Sequence, residues 1–260
     1  MIEGTAGAEH PRLPPAYRLL SFERVDSTNE VAKRSVGDGA EDGTLIWARE
    51  QTAGRGRRGR TWYSPRGNLY ASLVLRPGLD LHTTSQLGFA ASLALLEALG
   101  RLMPPLLEVR LKWPNDVLIN DRKVAGFLME TMSRPEGEFD ALILGIGANV
   151  AVAPTDTPYA ATSLREEGAG SEVTDAALLE AFAPHFMTWV NRWLDEGFEP
   201  VRRAWMARAK GIGEPINVRL PDETLSGTFR DLDENGALVL RQASGMEQRI
   251  HVGDVFFGRT

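Results

Sequence analysis

Residues 54–60 read Gly-Arg-Gly-Arg-Arg-Gly-Arg, which sets four guanidiniums and three glycines in seven positions. Arginine stays charged at any working pH and presents a planar fork of donors suited to phosphate or carboxylate oxygens. Glycine lets the backbone approach a ligand closely and raises the entropy of a free loop. The segment is therefore expected to be mobile when free and ordered over an anion, with a solvated basic turn as the plainer alternative. A second cluster, Lys112-Trp113-Pro114-Asn115-Asp116, places an ammonium, an amide and a carboxylate at a strand end. Those groups suit phosphates, a ribose or base, and a metal, although turns are in any case rich in Pro, Asn and Asp. Arg122-Lys123-Val124-Ala125-Gly126 adds a lysine at a strand start, and Gly145-Ile146-Gly147-Ala148-Asn149 adds close backbone approach and one amide.

Gly54-Arg55-Gly56-Arg57-Arg58-Gly59 fits the spacing G-x-G-x-x-G literally. The dinucleotide fingerprint, however, needs a helix to begin at that loop, so that its N-terminus meets the pyrophosphate. Residues 61–67 read instead as loop leading into a strand. No lysine followed by Ser or Thr completes a phosphate-binding P-loop either.

The surrounding elements must hold these clusters together. Residues 1–16, with three prolines and little periodicity, read as a flexible lead-in. Residues 17–25 read as a strand, and Asp26-Ser27-Thr28-Asn29-Glu30 as a helix start in which Ser27 or Thr28 serves as the cap. Residues 44–48 form a buried strand that delivers the chain to the arginine loop, and residues 68–76 the next strand. Residues 85–102 carry the apolar spacing of a buried helix, stopped by Pro104-Pro105. Short strands at 107–112 and 116–119 precede a hairpin partner from residue 123 to 131 and a strand at 141–147. Residues 153–172 read as loop, followed by helices from Thr174 to Trp193 and from Pro200 to Lys210. From Gly211 onward the pattern changes to short alternating strands with an Asn235-Gly236 hairpin turn, which marks a small β-barrel.

The chain has 260 residues, enough for a full core, and a net charge of −6. Positive charge is thus local, which favours a small anionic ligand over a broad nucleic-acid surface. No apolar run reaches the ~18 residues of a membrane span, and no secretory signal is visible. Zero cysteines exclude disulfides, zinc-thiolate sites and thiol nucleophiles, which fits a cytoplasmic protein.

Ser27-Thr28-Asn29, residues 51–60, 112–116, 122–126 and 145–149 follow one another in an order that resembles the biotin–protein ligases, from about residue 17 to the end. The resemblance implies an α+β fold: a mixed β-sheet with flanking helices at 17–211, of the class II synthetase-like, biotin–lipoate ligase type. A small C-terminal barrel of the Src-homology-3 (SH3) type at 212–260 completes it. The segment before residue 20 has no room for a helix-turn-helix, so the ligase-only class is expected rather than the bifunctional repressors. Ala148 departs from the larger aliphatic residue common there.

Members of that family join biotin to AMP using ATP and Mg²⁺. They then pass the biotinyl group to a lysine of the biotin carboxyl carrier domain of a carboxylase. By position, Ser27, Thr28, Asn29 and Gln51 are expected at the biotin ring. Gly54, Arg55, Gly56, Arg57, Lys123 and Gly126 are expected along its remaining atoms and carboxylate. Arg57, Arg60, Trp62, Lys112, Asn115 and Asn149 are expected to address the adenylate. Arg55, Lys112, Lys123 and Asp116 are expected to carry the chemistry, with Asp116 near either a metal or the incoming amine; the metal ligands are not identified.

Two anions must meet in this reaction, so it calls for positive charge and positioning rather than a base. All four histidines lie outside the motifs. Lipoate and octanoyl transfer enzymes are the nearest rivals. The octanoyl branch needs a cysteine, and the lipoate branch carries a glycine signature with a histidine that this chain lacks. A non-catalytic biotin-binding module is the rival from another class. No nucleic-acid or membrane partner is expected, and a homodimer is left open.

Overall fold

The computed structural model describes residues 10–134 and 136–257. Part of the expected lead-in, residues 1–9, lies outside them. A seven-stranded sheet has the order β1-β2-β3-β7-β6-β5-β4. Its strands are β1 (Arg18–Phe22), β2 (Thr44–Ala48), β3 (Leu69–Leu75), β4 (Val109–Lys112), β5 (Asp116–Ile119), β6 (Arg122–Ser133) and β7 (Phe139–Ala148). β1 and β2 are parallel and the other pairs antiparallel, so the sheet is mixed, as expected.

Side chains alternate across a strand, and here each face carries a different chemistry. Leu45, Trp47, Leu69, Ala71, Leu73, Leu142, Leu144 and Ile146 face a large core. α3 (Leu87–Leu102), α4 (Asp175–Glu196) and α5 (Phe198–Met206) close that core. Indole N–H groups pin these helices to one another: Trp193 donates to Gln86 at 2.8 Å, Trp189 to Glu97 at 3.0 Å and Trp205 to Ser92 at 3.1 Å. The opposite face holds a smaller cluster in which Ile46, Val74, Ala141 and Ile143 meet Val31, Ala32 and Val36 of α1 (Thr28–Gly37). Beyond that cluster the same face offers Ser72, Gly126, Gly145 and Gly147. Small residues at those alternating positions leave a trough beside the start of α1.

The expected buried helix from residue 85 is preceded by a separate short helix, α2 (Leu81–Thr84), capped by Asp80, whose carboxylate accepts from Thr83 N at 3.0 Å. Its Leu-His-Thr-Thr sequence has no apolar period to reveal it. The strand expected at 17–25 ends at Phe22, because the chain turns there towards α1. The expected helix from Pro200 begins two residues earlier and is α5. A five-stranded antiparallel unit follows, with β8 (Pro215–Arg219), β9 (Thr224–Leu232), β10 (Leu238–Arg241), β11 (Glu247–Ile250) and β12 (Asp254–Phe257). β12 brings Asp254, Phe256 and Phe257 up to the trough.

Candidate functional site

A cavity of about 380 Å³ fills the trough. Its floor is the α1 face of the sheet, one wall is the N-terminus of α1, and its roof is the arginine loop with β12. At one end the lining is neutral. Ser27 occupies the helix N-cap position with φ −152° and ψ 137°, yet its side chain makes no capping bond and instead lines the cavity. Gln51 Oε1 accepts from Thr28 N at 2.8 Å, and its Nε2 donates to Ser64 Oγ at 2.9 Å. Ser64 in turn donates to the Trp62 carbonyl at 2.8 Å. Asn29 is buried and its amide Nδ2 donates to Glu130 at 2.8 Å. This end therefore holds fixed amides and hydroxyls without net charge.

The other end is cationic. Of the residues lining the cavity, seven are Arg or Lys and three are Asp, in a chain whose total charge is −6. Asp116 lies between two lysines: Lys123 Nζ is 2.6 Å from its Oδ1, and Lys112 Nζ is 3.9 Å from its Oδ2. β5 and β6 pair antiparallel with Asp116 opposite Gly126, and a register shift after Val117 sets Lys123 opposite Leu118, on the face that carries Asp116. A side chain at Gly126 would meet Lys123 Nζ at 3.2 Å, so glycine leaves that lysine its place. Burial pushes the Lys112 pKa below the ordinary lysine value, against the pull of Asp116. Burial likewise lowers that of Arg57, opposed by Asp254 and Asp116. Both are cations short of solvent, and an anion would restore what burial removed.

The arginine loop is folded back on itself. Trp62 N donates to Gly54 O at 2.9 Å and Gly56 N to Arg60 O at 2.7 Å, around a 3₁₀ turn at Arg57–Gly59. Arg58 and Gly59 take left-handed φ values of 56° and 72°. The loop is more than a plain solvated turn, since each guanidinium has a protein partner, although the Arg55 and Arg60 side chains remain exposed. Arg55 pairs with Glu30 and Glu130. Arg57 donates to Asn115 Oδ1 at 3.1 Å and to Gly253 O at 3.3 Å. Arg58 reaches Asp254 at 3.4 Å, and Arg60 pairs with the same carboxylate. Gly54 has no room for a side chain: a Cβ would lie 2.3 Å from Ser64 Oγ and 2.5 Å from Trp62 O.

Trp62 stands between this cavity and a second one of about 480 Å³, lined by Asn149, Lys123, Tyr159 and residues 153–157. Gly147 lies under its ring, where a Cβ would come within 2.6 Å of the indole. Trp62 Nε1 is buried without a hydrogen-bond partner among the described residues. Asn149 is held by Thr162 O at 3.0 Å and reaches the second cavity rather than the first. The other expected residues line the first cavity, except Gly54, which shapes the loop from behind. Sequence reading missed Ser72, Glu130, Tyr159 and Asp254. Among the described residues no group of three His, Asp or Glu side chains is arranged to hold a metal.

A neutral pocket that continues into a basic one, on a mixed sheet backed by helices, defines a site for joining an uncharged ring system to a phosphate-bearing partner. The chain belongs to the Biotin/lipoate A/B protein ligase family, whose model matches residues 13–207, and residues 211–258 match the biotin protein ligase C terminal domain. It is 42% identical to a biotin–[acetyl-CoA-carboxylase] ligase of Paracoccus denitrificans, over 90% of this chain and 98% of that protein. It is 34% identical to the Mycobacterium tuberculosis ligase of the same description, over 89% and 86%. The solved biotin protein ligase from Aquifex aeolicus in complex with biotin and ATP superposes with a TM-score of 0.77 at 29% identity. That match covers 93% of this chain and 99% of the other. A biotin protein ligase from Leishmania major in complex with biotinyl-5-AMP gives 0.64 at 28% identity, covering 92% and 100%.

Proposed function

We propose that this protein is an ATP-dependent biotin–protein ligase: it forms biotinyl-5′-AMP and transfers the biotinyl group to one lysine of a carboxylase's carrier domain. The observation that carries this reading is the polarity of the first cavity, neutral at Ser27, Thr28, Asn29 and Gln51 and cationic at Lys112 and Lys123. Biotin has the same polarity, a neutral ureido ring at one end and a carboxylate at the other. With the ring at Gln51, the carboxylate extends towards Lys123 and the turn of the arginine loop.

One carboxylate oxygen then attacks the α-phosphorus of ATP, and the bond to the bridging oxygen of pyrophosphate breaks. The site's contribution is to bring two anions together in a dry, positive enclosure. Arg57, Arg60 and Lys112 receive phosphate oxygens, and Trp62 and Asn149 accommodate the nucleoside at the second cavity. In the second step the acceptor amine attacks the acyl carbon, loses a proton, and AMP leaves. Asp116 keeps Lys123 and Lys112 in place and is the carboxylate available to that amine.

Mg²⁺ usually binds through one or two carboxylates together with substrate phosphates. Asp116, the carboxylate between the two cavity lysines, would hold such an ion together with the nucleotide's phosphates, and the ion would offset charge on the leaving pyrophosphate. A catalytic unit at 17–211, a barrel at 212–260 and a cytoplasmic location belong to the same reading; among the described residues no helix is long and apolar enough to cross a membrane.

The test is biotin-dependent exchange of labelled pyrophosphate into ATP, with lipoate as control, followed by streptavidin detection of a carrier domain. Exchange with lipoate instead, or with neither acid, would remove this reading.

A further inference from the structure

Glu130 lies on β6, outside every glycine- or lysine-bearing motif, and is held on both of its oxygens. Oε2 accepts from Asn29 Nδ2 at 2.8 Å, while Oε1 accepts from Lys33 Nζ at 2.7 Å and from Arg55. Burial raises its pKa, but the Lys33 and Asn29 hydrogen bonds and the charges of Lys33 and Arg55 outweigh that, leaving the carboxyl below its usual range. An ionised carboxylate can only accept. With the Leu128 carbonyl, which accepts from the same Nδ2 at 3.3 Å, it fixes which way the Asn29 amide turns, NH₂ towards β6 and C=O towards Ser72.

The consequence runs through the neutral end of the cavity. Ser72 Oγ is 2.6 Å from Asn29 Oδ1 and 2.7 Å from Thr28 Oγ1, and Ser72 is fully buried. A hydroxyl carries one proton. With Asn29 Oδ1 facing it, Ser72 gives that proton to Asn29 and takes one from Thr28, in place of that hydroxyl's 3.2 Å contact with Gln51 Oε1, which keeps the Thr28 backbone N–H at 2.8 Å. The direction of the donors in this row follows from the acceptors at its β6 end, the Glu130 carboxylate at 2.8 Å and the more distant Leu128 carbonyl at 3.3 Å. The same carboxylate holds Arg55, the first guanidinium of the loop.

We infer that Glu130 is a positioning residue that sets the donor and acceptor polarity of the biotin pocket through Asn29 and Ser72 and clasps the arginine loop through Arg55. This rests on the ring-binding role proposed above for Asn29 and Thr28. A ureido group offers two N–H donors and one C=O acceptor, so a row whose amide can turn either way would lose its complementarity. Glu130 and Ser72 are joined only through Asn29, since no hydrogen bond links them directly among the described residues.

The test is a double-mutant cycle on the biotin dissociation constant, with Glu130→Gln, Ser72→Ala and the pair, each in the full chain. Glutamine keeps the size of the side chain and removes the charged, closer acceptor of the Asn29 amide, leaving only the 3.3 Å Leu128 carbonyl contact. Each single change should weaken biotin about tenfold, and the pair should be hardly weaker than either. Independent sites would multiply to about a hundredfold. Trypsin should cut residues 55–60 faster in Glu130→Gln and at the wild-type rate in Ser72→Ala. Multiplying effects, wild-type biotin affinity in Glu130→Gln, or unchanged cleavage of its loop would each overturn the inference. Loss of biotin binding in the wild-type protein would instead overturn the functional reading, and the trypsin comparison would still decide the clasp.

Discussion

At the residue scale, Lys123 and Lys112 have separable tasks although they share Asp116. Lys123→Ala is expected to lower pyrophosphate exchange by about a hundredfold or more, as loss of a preorganised charge partner does, with little change in the midpoint of denaturant unfolding. Normal exchange by that variant would remove Lys123 from the chemistry. Lys112 is expected to appear in pH dependence. Burial lowers its pKa, so the free protein begins to lose this proton at a pH where an exposed lysine keeps it. A bound phosphate favours the protonated form, so nucleotide binding should take up protons at alkaline pH. Nucleotide affinity should fall as pH rises through the free-state value. Calorimetry of ATP binding in buffers of different ionisation enthalpy reads that uptake directly, and a heat independent of buffer at every alkaline pH up to the ordinary lysine value would contradict it. Gly54→Ser should act through its neighbours: the new Cβ falls 3.0 Å from Gln51 Nε2 and closer still to Ser64. Displacing that pair should speed biotin dissociation about tenfold or more.

At the element scale, most of the frame was legible because burial writes a period into the sequence. The four apolar residues that follow Thr44 in β2 and the run of β3 mark themselves as central strands. α3 and α4 were visible from their apolar spacing, and Trp205→Ala in α5 tests how they are joined. Trp205 is almost fully buried and donates to Ser92 of α3. Its loss should cost ~3–5 kcal/mol in denaturant unfolding and leave the biotin dissociation constant nearly unchanged in the folded fraction. What escaped the sequence was the short α2, whose only announcement is the Asp80 cap. The counter-charges of the site escaped as well. Arg55 is 75 residues from Glu130, and local pattern carries nothing across that distance. A signal did exist in β6: residues 126, 128 and 130 share a face, so an acid two pleats from a site glycine invites a cationic partner. Ser27 carried two readings, cap and pocket residue: its position is that of a cap, while its side chain makes no capping bond and lines the cavity.

At the scale of the whole molecule, the site is complete only where two sheets meet. Asp254 of β12 gathers Arg57, Arg58 and Arg60, while Phe256 and Phe257 stand 5.7 and 5.9 Å from Lys112 Nζ. Asp254→Asn should leave biotin affinity unchanged and raise the KM for ATP about tenfold, since it frees three guanidiniums on the nucleotide side. An equal loss for both substrates would show that the barrel serves the loop as a whole.

The long separation in sequence between Asp254 and the arginine loop also sets a timetable. Arg60 and Asp254 are 194 residues apart. At ~5–20 residues per second a ribosome needs roughly 10–40 s to travel between them. Arg55 meets its partners much earlier, at Glu30 and Glu130. The loop therefore matures in two stages during synthesis, its biotin side first and its nucleotide side last. A nascent chain gains the full grip on ATP only once β12 has been made.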